Sequence, residues 1–347
     1  MEQLGISLYL GSGETCNREV IAKAQKAKMQ YAFTSLHIPE ETVAGYATQI
    51  KALMQLCKEH ELSLMIDVGP RTVEKLELAS LFDLKQFGIQ HLRIDYGFSL
   101  EEIVELAKEF YIILNASTLL AQDMEMMVKA GIDLQRIMAC HNFYPKPLTG
   151  LSIEKTREIN DLLHSYGIRS MGFVSSDDVR RGPLHLGLPT VEDHRDQDVL
   201  KQVLELKYRC RCDMILVGDI DLSETSWRKL EQLQEGYISL QAEVLEEYQF
   251  VCDKIHHDRV DFSPYVIRSV ESRVQKRSVK PDVPALRPKG TIFISNENYL
   301  RYEGELEIAR CDLQGDHRVN VIGNIQTEDL PYLDYIQDGF GFQIRRK

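Results

Sequence analysis

The sequence predicts a (β/α)8 TIM barrel followed by a small β-barrel domain, an α/β protein in two parts. Two observations carry this. Up to Asp219 the chain holds eight short apolar runs, each ending in a polar cluster, at intervals of about 20 to 45 residues with helix-like stretches between. Near Gly236 the pattern changes to short strand-like runs broken by turn residues. The predicted domains are therefore residues 1–235 and 236–347.

The eight runs span residues 5–10, 31–36, 62–68, 91–95, 111–115, 136–142, 169–174 and 213–219. The third, Ser63-Leu-Met-Ile-Asp67, is almost all apolar, as expected of a parallel strand covered on both faces. Residues 41–60 place Val43, Tyr46, Ile50, Leu53, Leu56 and Cys57 on one helical stripe. Ser99 and Glu102 form a capping box that opens a helix. Thr72 and Ser117 stand just after strands, where N-caps are expected. Gly88, Gly131 and Gly167 end helices before the next strand. One connection is long: residues 175–195 follow the seventh run, and a structureless loop of about 20 residues is usually functional. In the second part, strands are expected at 237–244, 260–274, 290–294, 306–311 and 319–322, with a Pro-bearing loop at 276–289 and an alternating terminal run.

Composition narrows the function. At 347 residues the chain exceeds one barrel of about 250. No apolar stretch approaches the roughly 18 residues of a membrane span. The N-terminus shows no basic segment or apolar targeting core, so a cytoplasmic location is expected. Seven cysteines, closely paired only as Cys210-Arg-Cys212, read as free thiols. A net charge of −12 argues against nucleic-acid binding, yet a local Arg cluster can still hold an anionic ligand.

Barrel active sites lie at the C-terminal ends of the strands, so the residues ending the runs are the candidates. Arg93 and Asp95, two apart on a strand, share one face. Asp67 and Asp219 each follow an apolar run, where poor solvation raises a carboxyl pKa. Paired carboxylates are what glycoside cleavage uses, and the same oxygens can bind a metal. His37, on a face with Ser35, and His141 extend the metal alternative, although no His-x-His or Glu-x-x-His spacing supports it. Glu40, Asn115, Asn142 and Tyr144 add polar groups at run ends. Arg180, Arg181 and Arg195 on the long loop supply the charge a phosphate needs. The backbone of Gly11-Ser-Gly13 reads as a tight turn rather than an anion cradle.

Several segments together resemble the bacterial 6-phospho-N-acetylmuramidase family. They are Tyr9-Leu-Gly11, residues 33–40, Leu92-Arg-Ile-Asp-Tyr-Gly-Phe98, Leu114-Asn-Ala-Ser117, His141-Asn-Phe-Tyr-Pro145 with Thr149-Gly-Leu151, Arg181-Gly-Pro-Leu184 with residues 187–195, and Gly218-Asp219. The resemblance covers essentially the whole chain. It implies a cyclophilin-like second domain. It also implies hydrolysis of phosphorylated amino-sugar glycosides, such as a muramic-acid-6-phosphate–glucosamine disaccharide, in cell-wall recycling, with no cofactor, membrane or nucleic-acid partner. Homo-oligomerisation is left open. For that substrate we assign Asp67 and Asp95 as the catalytic carboxylates, with Asp219 and Glu192 in reserve. A variant lets the substrate's acetamido group attack, polarised by Asp177 or Asp178. Arg71 and Arg93 near the mouth, and Arg268 and Arg301 of the second domain, join the loop arginines as anion contacts. The alternatives are a metal-dependent sugar-phosphate isomerase or aldolase, and a non-catalytic sugar-phosphate-binding protein.

Overall fold

Eight parallel strands close on themselves in chain order. The computed structural model describes residues 3–36, 45–94, 97–275 and 277–346. The strands are β1 (Leu4–Ser7), β2 (Tyr31–Ser35), β3 (Ser63–Val68), β4 (His91–Ile94), β5 (Tyr111–Asn115), β6 (Ile137–Cys140), β7 (Arg169–Val174) and β8 (Met214–Val217). Between them run α1 (Glu14–Lys26), α2 (Tyr46–Glu59), the short α3 (Thr72–Lys75), α4 (Leu100–Ala107), α5 (Ala121–Lys129), α6 (Ile153–Ser165) and α7 (Val199–Leu204), and α8 (Glu224–Gln234) follows β8. Closure is made by β1 against β8, with Leu4 opposite Ile215.

Alternation fills the barrel. Phe33, Met65, Ile113, Met138, Cys140, Met171, Phe173, Met214 and Leu216 form one buried cluster. Phe33 and Phe173 meet edge to face at 5.5 Å. This apolar plug forces anything polar to the ends of the strands. Where β1 passes its neighbours there is no room for a side chain. A Cβ on Gly5 would lie 2.6 Å from both Leu216 Cδ2 and the Tyr31 carbonyl oxygen.

The chain divides between Glu231 and Gln232, within α8. The second unit is a seven-stranded sheet of order β10-β15-β9-β14-β12-β13-β11. Its strands are β9 (Tyr237–Val244), β10 (Ile255–His257), β11 (Val266–Arg268), β12 (Thr291–Ser295), β13 (Leu306–Ala309), β14 (Val319–Ile325) and β15 (Gly341–Arg346). A bridge from Asp258 to Ser269 links the ends of the two edge strands, so the sheet is nearly closed.

Local signals hold in part. Ser99 and Glu102 make the capping box, with Ser99 N donating to Glu102 Oε2 at 2.7 Å. Ser117 caps nothing, because α5 starts at Ala121 after Leu120. Thr72 lies inside α3 and accepts from Gly69 N at 2.9 Å. The strand expected over 260–274 is replaced by β11 and the helix α9 (Val270–Gln275), which Ser269 caps by accepting from Ser272 N at 3.2 Å. All seven cysteines are free.

Replacing Gly5 by Ala should destabilise the protein by about 1–3 kcal/mol, because the new methyl meets backbone as well as side chain. Urea unfolding reads this, and an unchanged midpoint would show that the β1 crossing has slack.

Candidate active site

Four polar side chains converge at the C-terminal ends of β2, β3, β4 and β6. Register brings the first three together: Ser35 pairs with Asp67, and Asp67 with Arg93. Ser35 Oγ donates to Asp67 Oδ2 at 2.9 Å. Arg93 Nη1 lies 3.1 Å from Asp67 Oδ1. Arg93 Nη2 donates to Asn142 Oδ1 at 2.7 Å. Asp67 and Arg93 are each 6% exposed, so the charges are paired with little help from water. Breaking such a buried pair from one side costs about 3–5 kcal/mol. Asp67 therefore presents a fixed acceptor carboxylate above the apolar plug.

The long loop after β7 is held by a second carboxylate. Asp219 is fully buried. Its Oδ2 accepts from Ser176 N at 2.8 Å and Leu188 N at 3.1 Å, and its Oδ1 from Arg181 N at 3.0 Å. Burial pushes the Asp219 carboxyl up, while the three N–H groups pull it down. Every oxygen is thus committed to backbone, and Asp219 braces the loop rather than facing a ligand. Glu192 is committed as well. It accepts from Leu148 N and Gly150 N, each at 2.8 Å, and forks onto Arg195 Nε and Nη2, each at 2.7 Å. The Arg195 contacts hold its carboxyl down at about 2. Arg195 in turn donates to the carbonyls of Gly187 and Tyr144, each at 3.0 Å. These two residues tie the β6 and β7 loops to each other, which corrects the expectation of a catalytic Glu192 and an anion-binding Arg195. Arg180 is also engaged, donating to Ser176 O and Asp196 Oδ1, each at 2.9 Å.

Arg181 differs from its neighbours. Its guanidinium lies 5.0 Å from the Tyr9 ring centroid and 5.4 Å from that of Phe143. Its Nη1 is sealed from solvent with no hydrogen-bond partner among the described residues. Tyr9 is itself fixed, donating its hydroxyl to the Gly218 carbonyl. Burial pushes that hydroxyl up to about 12, so it stays a neutral donor. Phe143 packs edge to face on Phe173 at 5.2 Å and follows Asn142 in the chain. Arg181 is thus an oriented cation held against the Tyr9 and Phe143 rings, with one donor unused among the described residues.

Other expected residues fall elsewhere. His141 is fully buried and its Nε2 meets Asn160 Oδ1 of α6 at 2.8 Å. Cys140 points into the barrel, so its neighbour points out, and burial holds the imidazole down at about 4. His141 therefore leaves both the substrate site and the metal alternative. Asn115 turns its amide oxygen to Ser117 N at 3.0 Å and shapes the β5 loop. Tyr144 hydroxyl reaches Ser117 Oγ at 3.5 Å. Asp177 braces the start of α8, accepting from Ser223 Oγ at 2.6 Å and Ser226 Oγ at 2.8 Å. Arg268 belongs to the second unit, where Asp261 engages it. His37, Glu40 and Asp95 lie outside the described residues. Among the described residues no three His, Cys, Asp or Glu side chains gather as metal ligands. Sequence reading missed Tyr9 and Phe143 as supports for Arg181, and Ser35 as the donor to Asp67. Ser35 was legible from register, the aromatic pair from nothing local.

Comparison with known proteins adds an identity to this geometry. Residues 4–232 match the family model described as 6-phospho-N-acetylmuramidase, N-terminal, and residues 237–345 its C-terminal counterpart. A conserved protein of unknown function from Enterococcus faecalis is similar in structure, with TM-score 0.82 and 29% identity over 99% of this chain and 96% of that one. An uncharacterized B. cereus protein is similar too, with TM-score 0.76 and 26% identity over 99% of each chain. No curated protein matches the chain.

Asp219→Asn should leave at least one loop N–H without an acceptor, at about 1–3 kcal/mol. Limited proteolysis should then cut within residues 176–188 faster than in the parent. Equal protection in both would remove the bracing role.

Proposed function

The chain belongs to the 6-phospho-N-acetylmuramidase family, a family of glycosidases, and on that premise we propose that it hydrolyses 6-phospho-N-acetylmuramyl glycosides with a pair of carboxylates. The proposed role is release of the phosphorylated muramic acid from an N-acetylglucosamine partner in the cytoplasm, as a step of cell-wall recycling. The observation that carries the mechanism is the Ser35–Asp67–Arg93–Asn142 layer at the barrel mouth. Asp67 is held by two donors, which suits the residue that attacks the anomeric carbon or takes a proton from water. Asp95, two residues beyond Arg93 in the sequence, is assigned as the acid that protonates the leaving oxygen. Glycosidases of either stereochemical outcome divide the work in this way, and the distance between the carboxyls decides between retention and inversion.

Substrate phosphate needs a cation that is not already spent. Arg195 and Arg180 serve the loop, whereas Arg181 keeps a sealed N–H without a partner among the described residues. We assign the 6-phosphate to Arg181. The aromatic rings around it exclude water and strengthen the charge–charge contact. Asp219 acts through Arg181, by fixing its backbone N–H. For the second unit, the nearly closed seven-stranded sheet supports the cyclophilin-like reading. The isomerase alternative loses support, because it drew on His141, which faces α6.

Asp67→Asn should lower kcat on a 6-phospho-N-acetylmuramyl glycoside by several orders of magnitude while its Kd changes little. Turnover within tenfold of the parent would remove Asp67 from the chemistry. Arg181→Met should lower kcat/KM for the phosphorylated substrate by about 30-fold or more, as expected for truncating one partner of a desolvated charge pair. The unphosphorylated analogue should be cleaved equally poorly by both proteins. An equal loss on both substrates would mean that Arg181 does not read the phosphate.

A further inference from the structure

Asp221 lies on the turn between β8 and α8, two residues beyond Asp219. Its Oδ1 accepts from Leu222 N at 2.9 Å and from Trp227 Nε1 of α8 at 2.8 Å. Its Oδ2 accepts from Lys23 Nζ of α1 at 2.7 Å. One side chain thus ties its own turn to two helices. Trp227 is 6% exposed, and its one N–H needs an acceptor at that depth.

The backbone of the same residue grips the long loop. Val179 and Asp221 form an isolated antiparallel bridge. Val179 N donates to Asp221 O at 3.3 Å, while Asp221 N and Ile220 N donate to Val179 O at 3.3 and 3.1 Å. Ser176 Oγ donates to Asp221 O as well. Asp177 grips in the opposite sense, accepting from Ser223 N at 3.1 Å besides the Ser223 and Ser226 hydroxyls. Arg181 stands two residues beyond Val179, with its guanidinium against the Tyr9 and Phe143 rings. Hydrogen bonds of this kind contribute only about 0.5–1.5 kcal/mol each. The bridge therefore fixes the loop only as well as the turn beneath it is fixed, and the Asp221 carboxylate is what fixes that turn. A misplacement of about 1 Å can cost about 100-fold in rate.

We propose that Asp221 is a positioning residue for Arg181. Its carboxylate fixes the β8 turn, the turn fixes Val179 through the backbone bridge, and Val179 sets where the Arg181 guanidinium lies. Asp219 holds the Arg181 amide, and Asp221 holds the stretch of chain that leads to it. The consequence for hydrolysis rests on the reading that Arg181 binds the 6-phosphate. The consequence for the loop does not.

The test uses the full chain and two readouts. Hydrogen exchange reads the loop directly: in Asp221→Ala the amides of Val179 and Arg181 should exchange about tenfold faster or more, because the segment opens locally at lower cost. Asp221→Asn, which keeps an acceptor for Leu222 N and Trp227 Nε1, should stay near the parent. Trp227→Phe, which keeps an aromatic ring but removes the N–H, should fall between the two. Equal protection in the parent, Asp221→Ala and Trp227→Phe would overturn the proposal whatever Arg181 binds. An Asn variant that exchanges as fast as the Ala variant would overturn the acceptor role. Kinetics reads the consequence. Asp221→Ala should lower kcat/KM for a 6-phospho-N-acetylmuramyl glycoside about tenfold, chiefly through KM, and leave the unphosphorylated analogue within about twofold of the parent. An equal loss on both substrates, with Arg181→Met still selective for the phosphorylated one, would make Asp221 a general structural residue and overturn the proposal. If Arg181→Met itself loses both substrates alike, the phosphate reading fails, and hydrogen exchange decides the positioning role alone. Thermal unfolding checks that each variant folds, and if Asp221→Ala does not, Trp227→Phe carries both readouts.

Discussion

The candidate site depends on one buried ion pair. Asp67 and Arg93 sit opposite each other on adjacent strands, directly above an interior filled by methionine, phenylalanine and aliphatic side chains. The plug offers them no polar partner below. Each charge therefore needs the other, and among the described residues Ser35 also meets Asp67 and Asn142 also meets Arg93. That chain of contacts joins four strands and aims one carboxylate at the mouth. A barrel with a purely apolar top would be at least as stable, since buried pairs seldom add net stability. The pair is better understood as a device that fixes a reactive group.

A second layer of carboxylates does a different job. The loop after β7 brings its own backbone N–H groups into a buried place, and such donors must find acceptors. Asp219 and Glu192 supply them. His194 adds an anchor, meeting Glu205 at 3.0 Å in a fully buried contact. The loop is consequently rigid where it carries Arg181. Charge in this region sorts by what is spent on the fold and what is left for a ligand, and Arg181 stands on the ligand side.

Much of this was legible in the sequence. Parallel buried strands leave near-continuous apolar runs, so all eight strand positions are legible, and the two-residue period puts Arg93 and Asp95 on one face of their run without saying which. The same period turns His141 outward because Cys140 faces the barrel interior, a phase that the sequence alone leaves open. In the sequence, position after an apolar run marks Asp219, while charge type alone marks Glu192 and Arg195. No local signal says that a carboxylate will be consumed by the backbone of a loop 30 or more residues away. In the second unit, residues 260–274 read as one strand, whereas Ser269 caps α9 within them.

The most direct test of the account is a crystal structure of the Asp67→Asn protein with an intact 6-phospho-N-acetylmuramyl glycoside. The account predicts the phosphate within hydrogen-bond reach of Arg181 Nη1 and the anomeric carbon facing residue 67. A phosphate bound away from Arg181, with the glycosidic bond remote from residue 67, would contradict it.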